Sequence, residues 1–222
     1  MHKSNRSKSY FKNTFCLFYL FCIGYLGNTV ADVDIETALS AVDAGDFVSA
    51  YTQFKELAEQ GDAEAQYNLA ILLKTGKGAM QNPQKAAKWF RKAADQGLAA
   101  AQYNLGQMYD DGIGVEQNYT YAVVWYKKAA MKGNASAQTN LGVLYANGQG
   151  IAQDIIKAYI WFNLAAAQGV EVAFKNREIL AEQMTPEMLA NMRKLSMEYF
   201  EQYVVPFQEQ KVKGPHELQR KN

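Results

Sequence analysis

Chemistry needs groups that ionise, attack or coordinate, and this chain gathers few of them. Its 222 residues include 2 histidines and 2 cysteines. His2, Cys16 and Cys22 precede Asp32, and His216 stands in a polar C-terminal stretch. A serine triad needs a histidine and a zinc site needs a Cys/His cluster, so residues 32–205 supply neither. Asp110 and Asp111 are adjacent carboxylates at a predicted helix end. Neighbours in a helix project to different faces, which does not suit paired acid–base work. The glycines of Lys74-Thr75-Gly76-Lys77-Gly78 invite a phosphate-loop reading. They lack the Gly-Lys-Ser/Thr ending and follow a predicted helix rather than a strand, so the stretch reads as a solvated loop. No catalytic residue, metal site or cofactor is expected.

Binding chemistry is better represented. Asn68, Asn104 and Asn140 stand at identical intervals along the chain. An amide offers donor and acceptor together and suits a peptide backbone or a terminal carboxylate; the same amides would equally serve to hold helices together. Tyr67 and Tyr103 lie one residue earlier, and Gln107, Asp110 and Asp111 share their face by helical spacing. Tyrosine is a common interface anchor, and a packed ring between neighbouring helices accounts for these positions equally well. Trp89, Trp125 and Trp161 share one phase beside small alanines, which places them in the core rather than in a ligand cage.

The elements that must position these residues follow from a repeat. Residues 62–97, 98–133 and 134–169 align without a gap. Ala65, Ala101 and Ala137 match, as do Gln66, Gln102 and Gln138 and the glycine pairs Gly76/Gly78, Gly112/Gly114 and Gly148/Gly150. Each window reads as two helices. In the first, Ala65, Leu69, Leu72 and Leu73 form one apolar stripe, and Gly76 sits where a C-cap needs a left-handed residue. The second begins at Asn82-Pro83, an N-cap followed by proline at the first helical position; Asn118 and Asp154 are the equivalent caps. Units unable to bury their own faces must stack, so the fold class is an all-α, right-handed α/α solenoid. Residues 32–61 supply an N-terminal capping pair (Ile35 to Ala44, Phe47 to Gln60). Residues 170–205 supply C-terminal capping helices (Val170 to Gln183, Pro186 to Val204), with Thr185-Pro186-Glu187 as a helix start. Residues 206–222 read as a disordered tail.

Residues 1–31 read as a secretory signal peptide: Lys3, Arg6, Lys8 and Lys12, an apolar run from Phe15 to Leu26, then a cut after Ala31. Twelve apolar residues rise only about 18 Å as a helix against a bilayer core of about 30 Å. No permanent membrane span is therefore expected after cleavage, and Cys22 follows the bulky Phe21, which argues against lipidation. The whole chain carries 23 basic and 22 acidic residues. Cleavage leaves 19 basic and 22 acidic, a formal charge of −3, so no nucleic-acid partner is expected.

Ala101, Leu105-Gly106, Tyr109, Gly112-x-Gly114-Val115, Trp125 and Lys128-Ala129-Ala130 resemble the Sel1-like repeat family, a branch of the tetratricopeptide-repeat class. Ala70 and Leu73 in the first repeat and Leu164 in the third depart from its pattern without disturbing packing. The resemblance implies a non-catalytic adaptor whose first helices line a groove for a partner peptide or domain, and in a secreted bacterial member an envelope role, most simply in the periplasm. The alternative is a hydrolase of β-lactam or cell-wall substrates, as labelled for a cysteine-rich branch whose paired cysteines this sequence lacks.

Overall fold

The computed structural model describes residues 34–212. The predicted signal peptide with its cut after Ala31, Cys22, and the end of the tail with His216 lie outside these residues. The helices follow one another as α1 (Ile35–Asp43), α2 (Phe47–Gln60), α3 (Ala63–Thr75), α4 (Pro83–Asp95), α5 (Ala99–Asp111), α6 (Tyr119–Ala130), α7 (Ala135–Asn147), α8 (Ile155–Ala167), α9 (Glu171–Ala181), α10 (Pro186–Tyr203) and α11 (Val205–Val212). From α1 to α9 each helix packs on the helices before and after it in the chain, whereas α10 skips α9 to lie on α8 and continues into α11. The result is an all-α, right-handed solenoid.

Local chemistry sets the helix ends. The Asn82, Asn118 and Asp154 side chains accept from the amides of Lys85, Tyr121 and Lys157 at 2.8, 3.0 and 2.9 Å, each satisfying an amide that has no partner within its helix. At the other end of the first helices, Gln81, Gln117 and Gln153 donate side-chain hydrogen bonds to the carbonyls of Lys74, Asp110 and Ala146 at 2.9, 2.7 and 2.7 Å.

The two glycines of each pair have separate duties. Gly112 caps α5 at φ 71°, a left-handed conformation that an L side chain rarely adopts. Gly150 is needed for approach as well: a Cβ there would stand 2.3 Å from the backbone carbon of Tyr119. Each loop thus presses on the start of the previous repeat's second helix, because Gly114 meets Pro83 and Gly78 meets Phe47 in the same way.

The core follows the repeat, with one departure. Trp125 and Trp161 are 3% and 4% exposed, as expected of core residues, but Trp89 is only half-buried. Trp125 lies under the Arg91 guanidinium of the preceding repeat, 4.9 Å from the ring centroid, and Trp161 meets Tyr199 and Tyr203 at 6.0 and 5.9 Å. In α2 the residue at the phase of Arg91 is Lys55, which pairs with Glu59 at 3.9 Å instead. Among the described residues, the Trp89 ring has Lys92 alone as a cation on its face, 3.9 Å from the centroid.

The tail also departs from expectation. Val205–Val212 is helix rather than disordered chain. Pro206 falls in the first turn, where proline is tolerated, and the wholly buried Val204 anchors the bend from α10. Tyr203 and Phe207 lie close against Gly133, at the turn between the second and third repeats.

A candidate partner groove on the first helices

The first helices α3, α5 and α7 bring the predicted binding residues into one row, but the three asparagines differ in their environments. Asn68 is half-buried and donates to the Glu64 carbonyl of its own helix at 3.0 Å. Asn104 is 9% exposed and donates to the Ala100 carbonyl at 2.9 Å. Its side-chain oxygen receives Lys74 Nζ at 3.4 Å, and the same ammonium reaches Gln107 Oε1 at 3.1 Å. Asn140 instead donates to the Tyr126 hydroxyl at 3.0 Å, which donates to Asp110 Oδ2 at 3.0 Å.

The structure therefore makes two clusters that bridge repeats. Lys74, Asn104 and Gln107 join the first repeat to the second. Asp110, Tyr126 and Asn140 join the second to the third, and Asp110 and Asn140 border a cleft of about 370 Å³ lined also by Asp111, Gln117, Tyr119 and Gln149. Asp110 and Asp111 both edge this cleft where α5 ends, Asp110 half-buried against Tyr126 and Asp111 exposed. Tyr67 packs on Phe90 at 5.8 Å and Tyr103 on Tyr126 at 6.0 Å, between centroids. Both tyrosines are half-buried, so each ring is part packing and part surface. Of the predicted binding residues, Asp110, Asp111 and Asn140 line the cleft, and Asn68, Asn104, Tyr67, Tyr103 and Gln107 take no part in it.

Burial governs the electrostatics. It pushes the Asp110 carboxyl above the ordinary carboxylate value, with the charge of Asp111 adding to it, against the opposing hydrogen bond from Tyr126. It also pushes the Tyr126 hydroxyl strongly upward, helped by the Asp110 charge. At neutral pH that hydroxyl is a fixed donor facing a carboxylate. Tyr67 and Tyr103 are raised by burial too. Among the described residues there is no group of three or more His, Cys, Asp or Glu that could hold a metal ion, and no helix is long and apolar enough to cross a membrane.

Sequence reasoning missed Lys74 and Tyr126. Lys74 is in the last turn of α3 rather than in a solvated loop; its long stem lets it reach the next repeat, which nothing in its sequence neighbourhood signals. Tyr126 did leave a signal, a hydroxyl where the other repeats have Phe90 and Phe162.

Comparison with known proteins agrees with this architecture. The Sel1 repeat model matches residues 63–98, 99–134 and 135–170, one residue beyond the periods read from the sequence. A protective antigen present in uropathogenic Escherichia coli strains, which displays an SLR fold, is 36% identical with a TM-score of 0.66, over 74% of this chain and 35% of that one. A Sel1 repeat protein from Oxalobacter formigenes is 32% identical with a TM-score of 0.65, over 68% of this chain and 62% of that one. The chain thus spans about a third and somewhat under two thirds of these two proteins. No curated protein matches it. The chain belongs to the Sel1-like repeat family, whose members are generally protein-interaction scaffolds.

Proposed function

We propose that this protein is a non-catalytic adaptor of the bacterial envelope that holds a partner peptide or domain along α3, α5 and α7. One observation carries the reading: the Asp110–Tyr126–Asn140 chain sits at the edge of a cleft of about 370 Å³ with Asp111 exposed beside it. A half-buried carboxylate with a second one at the rim suits a basic side chain or amino group of a partner. Asn140, Gln117 and Gln149 suit its backbone, since amides both donate and accept. Asn68, Asn104, Tyr67, Tyr103 and Gln107 extend the row toward the first repeat, with Asn104 serving the joint between repeats as well. The envelope setting rests on the basic, apolar and small-residue order of residues 1–31. Nothing in the fold or the comparisons supports the hydrolase alternative.

Affinity capture from envelope extract tests this, comparing wild type with Asp110→Asn/Asp111→Asn/Asn140→Ala. The partner retained by wild type should bind the triple variant at least tenfold more weakly, as expected when central interface residues are removed. Equal affinity would refute the groove assignment. Nitrocefin or muropeptide turnover abolished by the same variant would replace the adaptor with a hydrolase.

A further inference from the structure

The second helices of the repeats carry mainly positive charge. α4, α6 and α8 contain seven basic residues (Lys85, Lys88, Arg91, Lys92, Lys127, Lys128, Lys157) against one acidic residue, Asp95. The first helices α3, α5 and α7 contain one basic and three acidic residues. A net charge near zero conceals this segregation. All six lysines are exposed. Among the described residues, only Lys157 of the six forms a salt bridge, with Asp154 at 2.8 Å.

Apolar side chains lie among these cations. Tyr121, Val124 and Met131 are 52%, 43% and 39% exposed. With Lys127 and Lys128 they form one outward stripe along α6, at spacings of three and four residues. Beside the stripe, a cleft of about 190 Å³ is lined by Lys127, Lys157, Tyr145, Tyr199 and Tyr203.

We propose that the exposed face of α4 and α6 docks on an anionic phospholipid bilayer. Head-group phosphates lie against the lysines, Tyr121, Val124 and Met131 enter the interfacial layer, and the small cleft seats one phosphate. Diffuse phosphate layers are met well by lysine, a flexible point charge. Base reading in nucleic acid relies instead on arginine forks. The one arginine here is turned inward, donating to the Tyr109 hydroxyl at 2.6 Å. Stacking of single-stranded bases needs open aromatic faces, whereas Trp125 and Trp161 are buried, Lys92 covers the Trp89 ring and Tyr121 packs on Tyr109. Apolar side chains between exposed lysines have no counterpart in a phosphate backbone or an acidic peptide, but they match the interfacial layer of a membrane.

The test uses the full chain and its own fluorescence. All 3 tryptophans lie in second helices and none lies in residues 1–33, so adsorption through the N-terminus alone leaves them dark to a contact quencher. Vesicles of phosphatidylglycerol in phosphatidylcholine carrying a nitroxide head-group lipid should quench tryptophan emission, pure phosphatidylcholine should not, and added salt should reverse the quenching. Lys85→Gln/Lys88→Gln/Lys127→Gln should weaken vesicle partition by roughly fivefold per charge, on the order of a hundredfold in all, with unchanged circular dichroism. Val124→Ser, which removes the apolar side chain and leaves the charge unchanged, should weaken vesicle binding but not retention on polyaspartate. Absence of lipid-dependent quenching, or equal quenching in the triple variant, would overturn the proposal. So would tighter binding to polyaspartate or polyuridylate than to the vesicles, which assigns the face to another polyanion.

Discussion

The second and third repeats share a backbone and differ in how they are filled. In the second, Trp125 lies between two cations, Arg91 and Lys128. Tyr126 extends a hydroxyl to Asp110, and Lys132 stands at the turn. At the same phases the third repeat has Leu164, Phe162, Ala146 and Gln168, and Trp161 is covered by the tyrosines of α10. The positions that repeat build the solenoid. The positions that break the repeat distinguish one stretch of its surface from another, and they gather in the second unit.

The largest expected effect is at the apolar end of this comparison. Trp161→Ala should cost about 3–5 kcal/mol in chemical denaturation, the usual range for emptying a buried indole site. Trp125→Ala should fall at the lower end of that range, since Arg91 and Lys128 return to water when the ring is gone. An equal or larger loss at Trp125 would mean that its cations contribute more than solvation returns. Tyr126→Phe makes the second repeat resemble the third. It strips Asp110 and Asn140 of their shared hydroxyl, and should cost about 1 kcal/mol, because a hydrogen bond to a half-exposed carboxylate is worth less than a buried one.

Lys132→Gln should act in the opposite direction. Gln96 and Gln168 donate to Oε1 of the buried Gln66 and Gln138 at 2.9 and 2.7 Å. Lys132 donates to the Gly97 carbonyl, and Gln102 Oε1 is buried with no hydrogen-bond partner among the described residues. Glutamine at 132 restores the missing donor and should stabilise the chain by about 1 kcal/mol in thermal or chemical unfolding.

The smallest effect is a pH dependence. Because Asp110 sits above its unfolded value of 3.8, the native state binds a proton that the unfolded state does not in the window above 3.8. Its contribution to stability therefore rises as pH falls through the native value. Relative to Asp110→Asn, wild type should gain less than about 1 kcal/mol from this term between pH 7 and 4. Tyr126→Phe, which removes the opposing hydrogen bond, should widen that gap. A gap that narrows would assign the Asp110 shift to something other than burial.

Helices were legible wherever a local rule decided them. Asn82-Pro83 and Thr185-Pro186 announced helix starts, and the glycine pairs announced stops. The rule that proline suits a first turn also covers Pro206, yet the polar residues beyond it suggested disorder; Val204, whose burial depends on distant neighbours, tips that segment into α11. The candidate site was legible as a row, since periodicity puts Asn68, Asn104 and Asn140 on equivalent helices. How each is held was not, because that depends on the preceding repeat: Asn140 on Tyr126, Asn104 on Lys74. The charge sum misled for a related reason. Summation over the chain discards which helix face each lysine occupies.

The press of Gly150 on Tyr119, of Gly114 on Pro83 and of Gly78 on Phe47 bears on how such a chain lengthens or shortens over generations. Every loop must arrive in register against the preceding helix start, so gaining or losing one residue between the glycine and its target spoils a joint. A whole period brings its own glycine and its own target, and the joints close again. Recombination between equivalent points of two repeats is then the change of length this architecture accepts with least disturbance, and the two similar solved proteins are indeed longer than the stretch they share with this chain.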